Sequence, residues 1–297
     1  MAAVQEVTSE FPASSPSTSP SPSGDESVEA WALRYLLSIS IEEKLDHAHP
    51  PFLRGEHVSV TTVGSAALPT RPGRPPELKE TKRSKKAHTK GALINPIRRA
   101  DLMHRFFHHE LQAAELMLWA FLKFRDSEHA FRQGLLNVFR DEVRHMRAYR
   151  DYIVSQGYRV GDFPVRDWIW DRVSSTTTPL GFVSTMGIGF EGGNLDHTAR
   201  FIEQFEAVGD EEAAAMLRVV HEEEIPHVRF AMFWFRKFRG EDTGVPFESF
   251  DAWKSGLPHP LSPAVMKGPE LDRVARTTAG FGNTFMDRLH AWTLDDR

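Results

Sequence analysis

The sequence predicts an all-α protein, a four-helix bundle with a long crossover between its second and third helices, an N-terminal helix and a C-terminal helical extension. Two observations predict it. Apolar residues recur at the helical period from residue 97 to about 238, and the breaks fall in the order short turn, long link, short turn. Composition agrees: 297 residues, 40% hydrophobic and 26% charged, give ample core material for one large or two small domains. A net charge of −5 singles out no obligatory polyanionic partner. The absence of cysteine excludes disulfide scaffolds, thiolate nucleophiles and iron–sulfur or rubredoxin-type centres, so any metal must use His, Asp and Glu.

Residues 1–26 read as a disordered tail, because residues 11–23 are Ser, Thr or Pro apart from Phe11 and Ala13. The first thirty residues contain five acids and no Lys or Arg, which argues against a secretory or transit peptide. No apolar run is long enough to span a bilayer, so cytoplasm is the default expectation and no membrane partner is expected. Residues 27–96 then divide into one amphipathic helix over 28–46, built on Trp31, Leu33, Tyr35, Leu36, Leu37 and Ile41, and a Pro-rich linker with a basic run over 79–90. Between residues 71 and 99 stand ten Lys or Arg against Glu77 and Glu80. Such a run is a solvated linker or a contact arm for RNA; it lacks the interleaved aromatics that stack bases.

The bundle itself is expected over residues 97–240. Its helices are expected at 97–124, after a turn at Asp126-Ser127-Glu128 to about 155, from Pro179 to about 208, and from Gly209-Asp210 to 238. Residues 241–297 form the extension, extended at 258–263 and helical over 268–293.

Two of these helices carry a carboxylate and an imidazole at i, i+3: Glu142 with His145, and Glu224 with His227. The other two each offer one glutamate among apolar neighbours, Glu110 and Glu191. These stand 32 and 33 residues before their partners, so the two halves repeat one layout. Two dications need about four carboxylates for neutralisation and bridging, with imidazoles completing coordination and leaving positions open. Six metal ligands are therefore proposed: Glu110, Glu142, His145, Glu191, Glu224 and His227, the four glutamates also counting as catalytic. Glu115, Glu222 and Glu223 are possible register slips, although Glu223 would place Pro226 where the imidazole belongs.

The strings HHELQAAEL, DEVRH, MGIGFEGGNLDH and EEEIPHVRF resemble the ligand-bearing stretches of the ferritin-like superfamily. With FPVRDW and LPHPLSPAVMKGP they resemble, over about residues 28–292, a ferritin-like family known only as domain of unknown function 455. The resemblance implies a bundle with a di-metal centre and implies no substrate. A looser similarity runs to the di-iron hydroxylase that modifies a tRNA base.

Around the ligands, Gly187, Gly189, Gly192 and Gly193 permit either a π-bulge or close helix packing, since each glycine costs about 1 kcal/mol in a helix interior. Pro226 should add a second bulge. Asp196, in preference to Asp141, is expected to accept from a ligand imidazole, and Tyr149 to stand behind the ligands on the His145 face. His108, His109 and His197 are possible extra ligands more readily read as hydrogen-bonded partners. Arg166, Asp167, Trp168 and Trp170 pin the crossover or close one end of the bundle.

The resulting functional expectation is an oxidoreductase with two iron ions, or one manganese and one iron, and O2 as co-substrate. It would hydroxylate or desaturate a small organic molecule, drawing electrons from an external donor. Iron handling by a ferroxidase-type site and tRNA-directed hydroxylation are the alternatives. The extensions flanking the bundle would obstruct a storage cage, so a monomer or dimer is expected.

Overall fold

The computed structural model describes residues 27–46, 68–82, 91–244, 246–258 and 261–293. The tail at 1–26 and most of the basic run, 83–90, lie outside the described residues. Among the described residues the fold is helical, and extended pairing is confined to two isolated bridges, Glu80 with Val165 and Phe247 with Phe281.

The N-terminal segment is two helices, not the single one expected over 28–46: α1 (Val28–Leu37) and α2 (Ile41–Leu45). Ser40 accepts from the Glu43 amide and starts a second helix. The Lys44 ammonium turns back to donate to the Tyr35 and Leu36 carbonyls, 2.7 and 3.2 Å away, at the end of α1. Trp31 and Tyr35 set α1 on the bundle by edge contacts to Phe139 at 5.4 and 4.9 Å.

Four long elements form the bundle. Asn95 caps α3 (Pro96–Lys123) with proline at its first position, and α4 (His129–Ser155) returns alongside it after a short turn. The crossover contains α5 (Trp168–Val173), and Gln112 of α3 fixes it. The Gln112 amide donates to the Arg166 carbonyl at 3.1 Å, and its oxygen accepts from the Ile169 and Trp170 amides. A buried ion-pair chain supports the same place: Lys44 to Glu115, Glu115 to Arg74, Arg74 to Asp167, and Asp167 to His108.

The third long element is composite. Thr178 caps α6 (Pro179–Val183), eight residues of π-helix follow at Ser184–Glu191, and α7 (Gly192–Glu206) completes it. Both expectations for the glycines hold here. The π-stretch forms, and a Cβ on Gly187 would sit 2.2 Å from that of Ala231, so this side also lies unusually close to the next helix. That helix is α8 (Glu211–Arg239), capped by Asp210 and closed by Gly240 at φ 68°.

The bulge expected at Pro226 is absent: α8 runs through it unbroken. Pro226 and Glu222 are both exposed, so water can satisfy the carbonyl that the missing amide would have served.

The C-terminal extension is likewise more divided than expected. It comprises α9 (Phe250–Ser255), α10 (Pro263–Met266), α11 (Arg273–Ala279) and α12 (Asn283–Ala291). The single helix over 268–293 is interrupted because Gly280 takes φ 116° and ends α11, while Glu248 accepts from the Phe285 amide in the first turn of α12. Phe247, Phe250, Trp253, Phe285 and Trp292 make the extension's own aromatic core, and the Trp253 indole donates to the Ser184 carbonyl where the π-stretch begins.

One ion pair fastens the extension to α7. Asp196 accepts two hydrogen bonds of 2.8 Å from the Arg276 guanidinium and also the Gly268 and Asp272 amides, with both side chains wholly buried. Asp196→Ala would leave that guanidinium buried without its counter-charge. A loss of about 3–5 kcal/mol in denaturant unfolding is expected, and a loss under about 1 kcal/mol would contradict this role.

Candidate metal centre

The six residues singled out by spacing converge at the centre of the bundle, one from α3, two from α4, one from the last position of the π-stretch and two from α8. Their donor atoms form two overlapping groups, each within 4.8 Å: Glu110, Glu142, His145 and Glu224; and Glu142, Glu191 and His227. Glu142 belongs to both. Glu224 reaches both imidazoles, with its carboxylate oxygens 4.0 Å from His145 Nδ1 and 3.3 Å from His227 Nδ1. All six side chains are buried.

Helix periodicity explains the convergence. Glu142 and His145, like Glu224 and His227, stand three residues apart and so share a face directed at the bundle axis. Glu191 occupies the one long element that is not α-helical at this level, so the wider π-turn sets where its carboxylate falls.

The donor chemistry fits divalent cations. Both oxygens of Glu142, one of Glu191 and Nδ1 of His145 are buried without a hydrogen-bond partner. Such unpartnered polar atoms in a protein interior demand an explanation, and a cation displacing the imidazole protons supplies one.

The imidazoles are oriented from outside. His145 Nε2 lies 2.8 Å from Glu223 and His227 Nε2 lies 3.1 Å from Asp141, so each ring has Nδ1 toward the cluster and Nε2 toward an outer carboxylate. Arg144 contacts both outer acids at 2.8 Å. The arrangement is reciprocal. Asp141, just before Glu142 on α4, serves the α8 imidazole, while Glu223, just before Glu224 on α8, serves the α4 imidazole. Asp196 is therefore not the imidazole partner expected of it; Arg276 occupies it. The missed signal was an acid immediately before each Glu-x-x-His pair.

The remaining candidates are also placed. Glu115 and His108 belong to the buried ion-pair chain and Glu222 is exposed, so none joins the cluster. Asp167 joins that chain, and Trp170 donates from its indole to the Thr70 carbonyl. Tyr149, His109, His197, Arg166 and Trp168 line a cavity of about 650 Å³ that reaches Glu110, Glu142, Glu191 and Glu224. Asn194 donates to Glu224 at 3.3 Å.

Electrostatics follow from burial. Desolvation, with Glu142 nearby, holds the Glu110 carboxyl well above its usual range, and desolvation does the same for Glu191. Burial opposes ionisation of Glu142 too, but the neighbouring His145 and His227 prevail and hold it below the usual range. Burial would lower His145, yet Glu142 and Glu223 push it up to about 9, and His227 is raised similarly by Asp141, Glu142 and Glu224. Burial raises the Tyr149 phenol, with the nearby glutamates adding to it, so it keeps its proton. His109 is pushed down to about 3 by burial and by the neighbouring basic groups.

A helical bundle enclosing a Glu/His cluster of this composition is a possible metal-binding protein. The family model described as "Protein of unknown function (DUF455)" matches residues 38–287, and the chain belongs to that family. An uncharacterized protein of Haemophilus influenzae is 26% identical over 202 residues, covering 64% of this chain and 67% of the relative. No solved structure matches.

Metal ligation requires Glu110 and Glu191 ionised and both imidazoles free of a proton at Nδ1, so loading must release protons. Apparent affinity for a divalent ion is expected to rise from pH 6.5 to about 9, the interval over which the metal must displace the proton that His145 still holds in the metal-free fold. Over the same interval the metal-free fold loses the stability that His145 contributes fully below pH 6.5. Calorimetry in buffers of different ionisation enthalpy would detect the released protons; a flat affinity profile would contradict it. Separately, Asp141→Asn with Glu223→Gln is expected to weaken metal binding about 10–100-fold without unfolding the chain, read by competition with a chromophoric chelator.

Proposed function

We propose that the protein is a ferritin-like di-metal oxidoreductase, holding two iron ions or one manganese and one iron, that uses O2 to hydroxylate or desaturate an organic molecule. The observation that carries this reading is the cavity of about 650 Å³ ending on the four glutamates, a volume suited to a small organic molecule. Iron storage has no use for such a chamber.

When bound, the two ions would supply the redox equivalents and Lewis acidity for O2 activation. Hydroxylation would then convert a C–H bond, O2, two electrons and two protons to C–OH and water, with the electrons from an external reductase. The protein's own part is positional. Glu142 and Glu224, each within reach of both imidazoles, would hold the ions together with Glu110, Glu191, His145 and His227. Glu223 and Asp141 fix the imidazole rings, Asn194 restrains Glu224, and the neutral Tyr149 phenol stands on the cavity wall. Phe106, Phe190 and Phe201 exclude water from the approach.

The test is elemental analysis of protein produced with iron and manganese available, beside a Glu142→Ala, Glu224→Ala double variant. About two metals per chain, lost in the variant, with O2 uptake on adding a chemical reductant, are expected. Absence of tightly held metal after anaerobic reconstitution with ferrous iron would overturn the reading.

A further inference from the structure

The cavity wall has a second charge pattern, separate from the six-residue cluster. Among the described residues that line it, every acid is one of the four cluster glutamates, and the other formally charged side chains are four arginines: Arg105, Arg166, Arg172 and Arg200. The glutamates are buried, whereas all four arginines are half-buried and so lie toward the solvent end. The apolar surface of Phe106, Phe190 and Phe201 lines the same chamber.

Among the described residues Arg166, Arg172 and Arg200 form no ion pair, whereas Arg105 pairs with Asp101. Arg200 stacks its guanidinium 4.5 Å from the Phe201 ring centroid, and its Nε is buried without a hydrogen-bond partner. Arg172 lies 5.5 Å from the Trp168 ring and donates to the Trp168 carbonyl at 3.0 Å. Arg166 is anchored through its backbone carbonyl, which accepts from Gln112. Arg105 is paired with Asp101 one turn earlier on α3, at 3.8 Å, and is not assigned to the ligand. Two divalent ions would neutralise the four glutamates, leaving the arginines to set the sign of the potential inside the chamber. A planar guanidinium stacked on an aromatic ring presents its N–H edge to an oxyanion while keeping its own geometry.

We propose that the cavity takes an amphipathic organic oxyanion, its carboxylate or phosphate held by Arg166 and Arg200 at the half-exposed end and its apolar body laid along Phe106, Phe190 and Phe201 toward the glutamates. This rests on the reading of the chamber as the substrate site of a di-metal enzyme. It also orients the substrate: the carbon that meets the metals is remote from the anionic head.

Decanoate, decyl phosphate and decan-1-ol, which share one apolar body, test the proposal by calorimetric titration of the full chain, both metal-free and loaded with redox-inert zinc. Both anions are expected to bind at least about tenfold more tightly than the alcohol in either form, which corresponds to one charge-assisted contact. The tighter of the two identifies the head group. In an Arg166→Met, Arg200→Met variant, which keeps the side-chain bulk, the preference should fall to about twofold or less with decanol affinity unchanged.

Equal binding of alcohol and anions by the wild type would overturn the proposal. So would a preference that survives the variant, or one present only with zinc, since the anion would then sit on the metals. Metal content measured on the same samples separates the two readings. Two metals without anion preference defeats this inference alone, and anion preference in a chain that never holds metal defeats the di-metal function.

Discussion

Four glutamates and two imidazoles enclosed at one level of a helical bundle place the severest demand on this structure. Carboxylates are rarely buried unless paired, and like charges a few ångströms apart in a low-dielectric interior oppose folding. The metal-free chain meets that demand by keeping protons on Glu110 and Glu191, ionising Glu142 between two raised imidazoles, and placing Asp141 and Glu223 behind those rings. Divalent cations would meet it more completely. The reciprocal outer shell, with Arg144 joining its two acids, ties α4 to α8 at the level of the cluster, so the orientation of each imidazole depends on the opposite helix.

The rest of the fold holds this level in register. The π-stretch delivers Glu191, and Gly187 lets it approach Ala231 of α8 more closely than a Cβ would permit. The extension braces that irregular element, through Trp253 on the Ser184 carbonyl and Arg276 on Asp196. On the other side, Gln112 and the ion-pair chain from Lys44 to His108 fix the crossover that carries Arg166 and Trp168 into the cavity wall. Both flanking segments thus serve the chamber, one by supporting its glutamate-lined floor and the other by building its mouth.

The long helices and the six-residue cluster were legible because helical period and the i, i+3 spacing are local properties written directly in the chain. The partners behind the imidazoles were harder, because Asp141 and Glu223 each act on the opposite helix. Asp196 looked better placed by position along α7, but the extension, distant in sequence, supplies Arg276 to claim it. The breaks at 38–40 and at Gly280 were missed for a similar reason. A serine that starts a new helix and a glycine in the left-handed region override an unbroken apolar period. At Pro226 the helix tolerates what the sequence pattern says should bend it, since a missing amide matters little where the residues concerned are exposed to water.

In the proposed di-metal centre, Glu142 and Glu224 would lie with both ions between α4 and α8. The most direct measurement is anomalous diffraction at the iron absorption edge from crystals of the iron-loaded protein. Two peaks about 3.5–4 Å apart are expected, one beside His145 and one beside His227. A single peak, or peaks outside the six-residue cluster, would contradict it.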